Sequence, residues 1–199
     1  MNLIERVKNI LITPKTEWDV INTETATTGS LFMSYVLPLA LLSSAGAVIK
    51  SFLFTGPIIG FGYTAATAVV AFIVSVASFY LSVLIVDMLA PSFASEKNQG
   101  KTAQLIAYSG TPSYIAGLLS FIPVLGWILP FAAWAYGIYL MYLGIGPLKN
   151  TPEDKKVVYM IVSYVIIIAI YFILFAILMG IVAAVFIGVA GGIGGLRNY

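Results

Sequence analysis

Four long stretches of this sequence carry no charged residue, and they restrict the architecture that the chain can adopt. They cover residues 25–49, 51–86, 102–148 and 157–196. A helix needs about 20 consecutive apolar residues to cross the hydrocarbon core of a bilayer, so each stretch is long enough for at least one span. The chain is therefore predicted to be an all-α membrane protein.

Composition excludes several classes of function. The chain of 199 residues is 60% hydrophobic and only 9% charged, and it contains neither Cys nor His. Without Cys there is no disulfide, no thiolate nucleophile and no thiolate metal ligand. Without His the commonest general base and transition-metal ligand are missing. The net charge of +2 is too small for a nucleic-acid interface. We expect no enzymatic activity, no catalytic residues, no cofactor and no metal site.

The charge-free stretches predict five spans. Residues 102–148 are long enough for two spans, and a tight hairpin is predicted at 121–126, where Pro123 and Gly126 interrupt the apolar run. The last stretch has no proline, so we interpret it as one long tilted helix. A re-entrant hairpin broken near Gly180 is the alternative, and it would give six spans. The predicted spans are about 31–50, 58–88, 103–122, 125–146 and 157–187, preceded by a cytoplasmic or interfacial segment 1–30 in front of a membrane domain 31–199.

The distribution of basic residues predicts the orientation. With five spans, eight of the ten Lys and Arg residues fall on one side of the membrane, and only Lys50 and Arg197 fall on the other. Cytoplasmic loops carry the excess of positive charge, so the amino terminus is predicted inside and the carboxyl terminus outside.

The segment before the first span has the pattern of a short amphipathic helix. Leu3, Val7 and Ile10 recur at helical spacing, and the sequence Thr13-Pro14 ends the pattern because the residue before proline avoids helical angles. One interpretation is a helix in the headgroup plane that orients the bundle, with a tryptophan in the interfacial belt. The alternative is a docking surface for a cytoplasmic partner with exposed acidic residues. Its candidate residues are Pro14, Glu17, Trp18 and Glu24, with Asp19 exposed beside them.

Three prolines inside predicted spans suggest a polar cleft. Pro38, Pro112 and Pro130 each remove a backbone donor and free a carbonyl one turn earlier. Hydroxyl groups near such kinks can satisfy the freed backbone, and they can also line a cleft between the first and third helices that admits a lipid headgroup or a small solute. The candidate cleft residues are Ser34, Tyr35, Tyr108, Ser109, Thr111 and Tyr114.

Two further features concern packing. Asp87 is predicted at the end of the second span, as a solvated residue, as a partner for Lys97 or Lys101, or as a gate residue. Gly180, Ala184 and Gly188 repeat at four-residue intervals, a pattern that lets helices approach closely. This candidate face either packs within the bundle or pairs two copies of the chain.

Essentially the whole sequence resembles prokaryotic members of the Yip1-domain family. The resemblance rests on residues 9–24 with Pro14 and Trp18, on Tyr35 to Pro38, and on 107–112 and 117–127. It implies a five-helix bundle with a cytoplasmic amino terminus, in the cytoplasmic (inner) membrane of a prokaryote. Eukaryotic relatives act in vesicle trafficking and associate with Rab-type GTPases. This chain lacks their Asp-Leu-Tyr-Gly-Pro element, which argues against GTPase binding here.

The functional expectation is a non-enzymatic role in organising the membrane or in binding other proteins. The expected partners are the lipid bilayer, other membrane proteins or a second copy of the chain, and not nucleic acid. The alternative is a small facilitative transporter, channel or lipid-moving protein that uses the kinked first, third and fourth helices.

Overall fold

A computed structural model describes residues 2–54 and 61–196, with side-chain surroundings for 2–54 and 65–184. Within these ranges every regular element is helical. The α-helices are α1 (Leu3–Ile12), α2 (Pro14–Thr23), α3 (Thr28–Leu31), α4 (Leu37–Phe54), α5 (Phe61–Leu89), α6 (Gln99–Ser109), α7 (Thr111–Leu118), α8 (Leu125–Lys149) and α9 (Glu153–Leu196). A π-helical turn, Phe32–Val36, joins α3 to α4, and 3₁₀ turns follow α5 and α7.

Four helical segments in the described part of the chain are long and apolar enough to cross a membrane. They are Thr28–Phe54, Ala65–Phe93, Leu125–Lys149 and Glu153–Ala184. Many of their large apolar side chains face outward, such as Phe52, Trp127 and Phe131. A lipid environment suits this distribution, so the chain is a multi-pass membrane protein. The last helix continues past Gly180 as a single helix.

The segment predicted as the third span consists of two shorter helices, α6 and α7. Gly110 lies between them, and Pro112 stands in the first turn of α7, where its missing N–H is tolerated. The predicted kink therefore lies here. Much of α6 is buried at the centre of the bundle, including Ala103, Gln104 and Leu105. The hydropathy of α6 is low because the helix contains polar residues such as Thr102 and Gln104. These residues are buried against neighbouring helices and do not face lipid.

The other two prolines have different effects on their helices. The π-helical turn lies immediately before Pro38, and the N–H of Leu37 bonds to the carbonyl of Phe32, five residues earlier. The extra residue in this turn moves the backbone away from the proline ring, which would otherwise clash with the carbonyl one turn earlier. Pro130 lies inside α8, which continues through it.

Small residues bring α4 and α7 into close contact. A Cβ atom on Gly46 would lie 2.4 Å from the carbonyl oxygen of Leu118, and one on Gly117 would lie 2.0 Å from the Ser43 hydroxyl. A side chain at Gly46 would clash with backbone, whereas one at Gly117 would force the Ser43 side chain to move. Such close approach is typical of helices that pack through small residues.

The ionisable side chains that contact one another gather at one end of the bundle, which we call the charged end. Here α5 and α8 finish, α6 and α9 begin, and the α1–α2 hairpin packs against α6, α7 and α8. Lys50, near the opposite end of α4, is exposed. The amino-terminal hairpin thus packs against the bundle at its charged end.

Candidate functional site: the amino-terminal hairpin and the cavity beneath it

Arg6 connects α1 to α2 and to the loop that follows it. Its Nη1 donates to the Glu17 carboxylate at 2.5 Å, and its Nη2 donates to Glu24. Arg6 and Glu17 are almost completely buried, whereas the Glu24 side chain is 36% exposed. A guanidinium group has five donors in a planar fork, which allows it to bind two carboxylates at once. Helical periodicity places Arg6 on the polar side of α1, but it is buried, because two acids from outside α1 compensate its charge.

Trp18 fixes α2 onto α8. Its ring lies where Gly144 has no side chain, and a Cβ atom there would be 2.8 Å from the indole. The edge of the ring also meets Tyr108, with 6.2 Å between ring centroids. Trp18 is 1% exposed and Glu17 is 4% exposed. Neither can be part of an exposed docking surface or an interfacial belt as predicted, because helix packing and ion pairing bury both of them. Pro14 is also buried, and Asp19 is exposed as expected.

A hydroxyl group from α8 holds the end of α1. Tyr136 donates a hydrogen bond of 2.8 Å to the carbonyl oxygen of Leu11. The last carbonyls of a helix have no partner within it, and the turn into Pro14 prevents α1 from continuing. The bond therefore satisfies an acceptor that the sequence at Thr13-Pro14 leaves open.

Three of the predicted cleft residues lie together directly beneath Arg6. The Tyr35 and Thr111 hydroxyl groups are 2.8 Å apart in a buried hydrogen bond. The Tyr35 and Tyr108 rings meet edge to face at 4.8 Å, and the Arg6 guanidinium lies 5.2 Å from the centre of the Tyr108 ring. This arrangement joins the residues of the predicted cleft to the residues of the predicted docking segment.

The other predicted cleft residues have local roles. Ser34 and Ser109 donate to carbonyl oxygens of their own helices, at Ser30 and Leu105. This is how serine satisfies itself within a helix. Tyr114 is half-buried and packs against the main apolar core.

A polar cavity of about 470 Å³ lies between the hairpin and the start of the first membrane helix. It adjoins both the buried Arg6 and the partly exposed Glu24. Its lining residues come from α1, the end of α2, the α2–α3 connection, the first span and α6: Leu3, Arg6, Thr23, Glu24, Thr25, Leu31, Ser34, Tyr35 and Tyr108.

Two side chains of α6 hold the connection after α2 in place. Lys101 donates to the carbonyl oxygens of Asn22 and Glu24, at 2.7 and 3.0 Å. Gln104 donates to the carbonyl oxygens of Ile21 and Glu24 at longer distances.

A second polar cluster joins three helices and was missed from the sequence. The Asp87 carboxylate accepts from Lys149 and Thr102, each at 2.7 Å, and from the backbone of Asn98. Lys149 and Thr102 are fully buried. The expectation that Asp87 is solvated or pairs with Lys97 or Lys101 is wrong, since the fold places the end of α8 closer to it. The only signal in the sequence was that Lys149, like Asp87, borders a charge-free stretch.

The candidate packing face on α9 is exposed where the structure describes it. A Cβ atom added at Gly180 would have no other atom within 4 Å, and Ala184 is exposed. Gly188 lies outside the residues whose surroundings are described. This face does not pack against the rest of the described chain at Gly180.

Comparison with known proteins shows a family. A family model described as the Yip1 domain matches residues 8–177. The match includes α2, the cavity residues other than Leu3 and Arg6, and most of the membrane helices. No curated protein and no solved structure matches the chain.

Proposed function

Because this chain belongs to the Yip1 domain family, and because its long apolar helices are those of a multi-pass membrane protein, we propose that it acts without catalysis, as a membrane-organising protein that binds a partner at its charged end. The described ion pairs support a structural role for the charged residues. Arg6, Asp87 and Lys149 are each engaged with other side chains of the chain.

The attachment of the hairpin to the bundle carries this proposal. Arg6, Trp18 and Tyr136 hold α1 and α2 against α6 and α8 from the inside. The outer face of α2 is thereby presented in a fixed position, with Lys15, Thr16, Asp19 and Val20 exposed. We define these four residues as the α2 outer face. Buried Pro14, Glu17 and Trp18 support it from beneath, and Glu24 lies at its edge.

Crosslinking in intact membranes tests this role. A photoreactive residue in place of Val20 is expected to capture a recurring partner protein, because Val20 lies on the α2 outer face. The same residue in place of Phe52, which is 85% exposed near the other end of α4, is the control. Asp19→Lys should reduce the capture at Val20. Equal capture at both positions, or none at Val20, contradicts the proposal.

We further propose five spans, with the α6–α7 pair as the third, in the inner membrane of a prokaryote. The two short helices and the turn after them comprise residues 99–121, a length that suits a kinked span. The excess of Lys and Arg at the charged end favours a cytoplasmic amino terminus and an outer carboxyl terminus. A reporter fused after Tyr199 should be active only if it is external, and a cytoplasmic signal contradicts this topology.

The second candidate is a small transporter, channel or lipid-moving protein. One observation favours it: two helix irregularities, the π-helical turn and the Gly110 break, lie beside residues that line the cavity. Flux or lipid scrambling by purified protein in vesicles tests it. Rates equal to those of protein-free vesicles would remove it.

A further inference from the structure

We propose that the cavity beneath the hairpin binds a zwitterionic group that carries both a phosphate and an ammonium, the chemistry of a phosphoethanolamine headgroup. The inference goes beyond both proposed roles, since a bound headgroup requires neither a protein partner nor transport. It rests on four properties of the cavity: its size, its paired charges, its aromatic surfaces and its place in the fold.

The size and the lining suit a small polar ligand. Ligand sites commonly enclose about 300–1,000 Å³, and this cavity encloses about 470 Å³. Leu3 and Leu31 supply apolar surface, and the remaining lining residues carry polar groups. An acyl chain alone would leave those polar groups without partners, so the lining selects a polar ligand.

The charges of the cavity favour a zwitterion over a simple ion. Arg6 already shares its charge between Glu17 and Glu24, so an isolated anion would have to displace a carboxylate. Each of these ion pairs joins one guanidinium nitrogen to the Oε1 oxygen of the acid. Spare N–H donors on Arg6 and the second oxygen of Glu24 therefore offer a phosphate and an ammonium group complementary partners without breaking the pair.

Besides a carboxylate, aromatic rings favour the binding of an ammonium group, and the cavity has two of them. Tyr35 and Tyr108 both line the cavity, and their rings meet at a nearly right-angled edge contact. Cations bind favourably over such rings, and Arg6 already occupies one such position on Tyr108. Glu24, next to these rings, supplies the negative charge that a neutral aromatic cage lacks.

The place of the cavity in the fold favours a ligand that enters from the membrane surface. Ser34 and Tyr35 lie in the first turns of the membrane segment Thr28–Phe54, whereas Glu24 and Thr25 lie in the connection before it. The cavity therefore lies where lipid headgroups are found, at the boundary between the first span and the hairpin. A free phosphoethanolamine has the same chemistry, and the experiment below separates the two sources.

Native mass spectrometry of the full chain in mild detergent tests the proposal. The probes are phosphatidylethanolamine and phosphatidylglycerol with matched acyl chains, added in equal amounts. We expect the wild type to retain phosphatidylethanolamine about tenfold better, the effect of one charge-assisted hydrogen bond. Glu24→Gln should abolish the preference. Glu153→Gln removes the same charge from a side chain that is 80% exposed, outside the cavity, and should retain it.

A second variant keeps the test decisive if Glu24→Gln unfolds the hairpin. Ser34 is exposed to the cavity and donates only to a carbonyl of its own helix, so Ser34→Phe fills the space while leaving the ion pairs intact. It should lose the bound lipid with little change in thermal unfolding. A wild type without preference between the two lipids overturns the proposal, as does a Ser34→Phe variant that binds normally.

Competition with soluble compounds identifies the source of the ligand. If free phosphoethanolamine displaces the lipid, the cavity accepts both forms. If it does not, the lipid is the ligand, and both results support the proposed chemistry. Displacement by inorganic phosphate as efficient as that by phosphoethanolamine would overturn it, because the ammonium group would then contribute nothing.

Discussion

Lys149 and Asp87 form a buried ion pair, with 2.7 Å between Nζ and Oδ1, that joins the ends of α8 and α5 across 62 residues of sequence. Thr102 of α6 donates to the same carboxylate oxygen. Three helices of the bundle therefore meet at one carboxylate. Two further contacts reinforce the junction, the hydrogen bond from Tyr159 to the carbonyl of Val86 and the bond between the Ser95 and Thr151 hydroxyl groups.

Removal of Lys149 is expected to destabilise the bundle strongly. Lys149→Met leaves the Asp87 carboxylate buried without its counter-ion, which costs about 3–5 kcal/mol when a buried pair is broken. Thermal unfolding in detergent measures the effect. Lys155→Met, which removes an exposed charge nearby, is the control and should unfold like the wild type.

The double variant Asp87→Leu with Lys149→Met checks the cause. It removes both charges together, so it should recover much of the lost stability. If the double variant is as unstable as Lys149→Met alone, packing around Lys149 and not its charge is responsible.

Gly144→Ala is expected to loosen the amino-terminal hairpin. The new methyl group would lie 2.8 Å from the Trp18 ring, and overpacking of this kind costs about 1–3 kcal/mol. Proteolysis within residues 2–24 should become faster, because the hairpin separates from α8 more often. The assay compares cleavage rates of the two proteins in the same detergent.

Gly180→Ala provides a matched control for this change. It also replaces a glycine inside a long helix, so it gains the same helix propensity, but a Cβ atom there meets nothing within 4 Å. We expect unchanged proteolysis of the hairpin. If the two substitutions changed the rate of proteolysis equally, the packing of Trp18 would not depend on the space at Gly144.

The effects of substituting Tyr35 and Thr111 on stability should be strongly non-additive, because the two hydroxyl groups share a buried hydrogen bond. Tyr35→Phe leaves the buried Thr111 hydroxyl without its partner and should cost about 1–3 kcal/mol of stability. Tyr35→Phe combined with Thr111→Val removes both polar groups and should cost less than the sum of the single changes. Additive costs in thermal unfolding would mean that the bond contributes nothing to stability.

Self-association through α9 is expected to involve Ala184. The chain contains no cysteine, so Ala184→Cys introduces a single thiol. If the Gly180–Ala184 face pairs two copies, mild oxidation in membranes should produce a disulfide-linked dimer. Phe172→Cys, also exposed on α9, is the control and should crosslink less. Absence of a dimer at Ala184 removes this face as a contact between copies.

Local patterns predict the parts of the fold that are determined by residues close together in the sequence. The apolar stretches predicted membrane helices, the Thr13-Pro14 turn predicted the end of α1, and Gly110 with Pro112 lies at a real break between helices. Each of these features follows from hydrophobicity over a short window or from the geometry of proline.

Burial of polar residues could not be predicted in the same way. Arg6 belongs to the polar side of α1 by periodicity, yet Glu17 and Glu24 make its burial favourable. Lys149 follows a charge-free stretch and has the pattern of a loop residue, but the topology brings it to Asp87. In both cases the deciding partner comes from another part of the chain, so no pattern around either residue could identify it.

The cavity also depends on residues that are distant in the sequence. Tyr35 and Tyr108 were predicted from the prolines near them, whereas Glu24 was assigned to a different surface, and Thr23 and Thr25 to no site. The tyrosines and the residues around Glu24 come together only because the hairpin folds onto the bundle.

The hydrogen bond from Tyr136 to Leu11 has a consequence for biogenesis. The two residues are 125 positions apart, and Gly144, which accommodates Trp18, is further along still. A ribosome therefore releases α1 and α2 well before α8 exists to receive them. The Arg6–Glu17 pair can form within the nascent hairpin, and α6 and α7 can contact the hairpin next. The contacts of Leu11 and Trp18 with α8 form only after α8 has been made. Segments that are made early are thus among the last to be secured, because the hairpin gains its full set of contacts only after α8 is inserted.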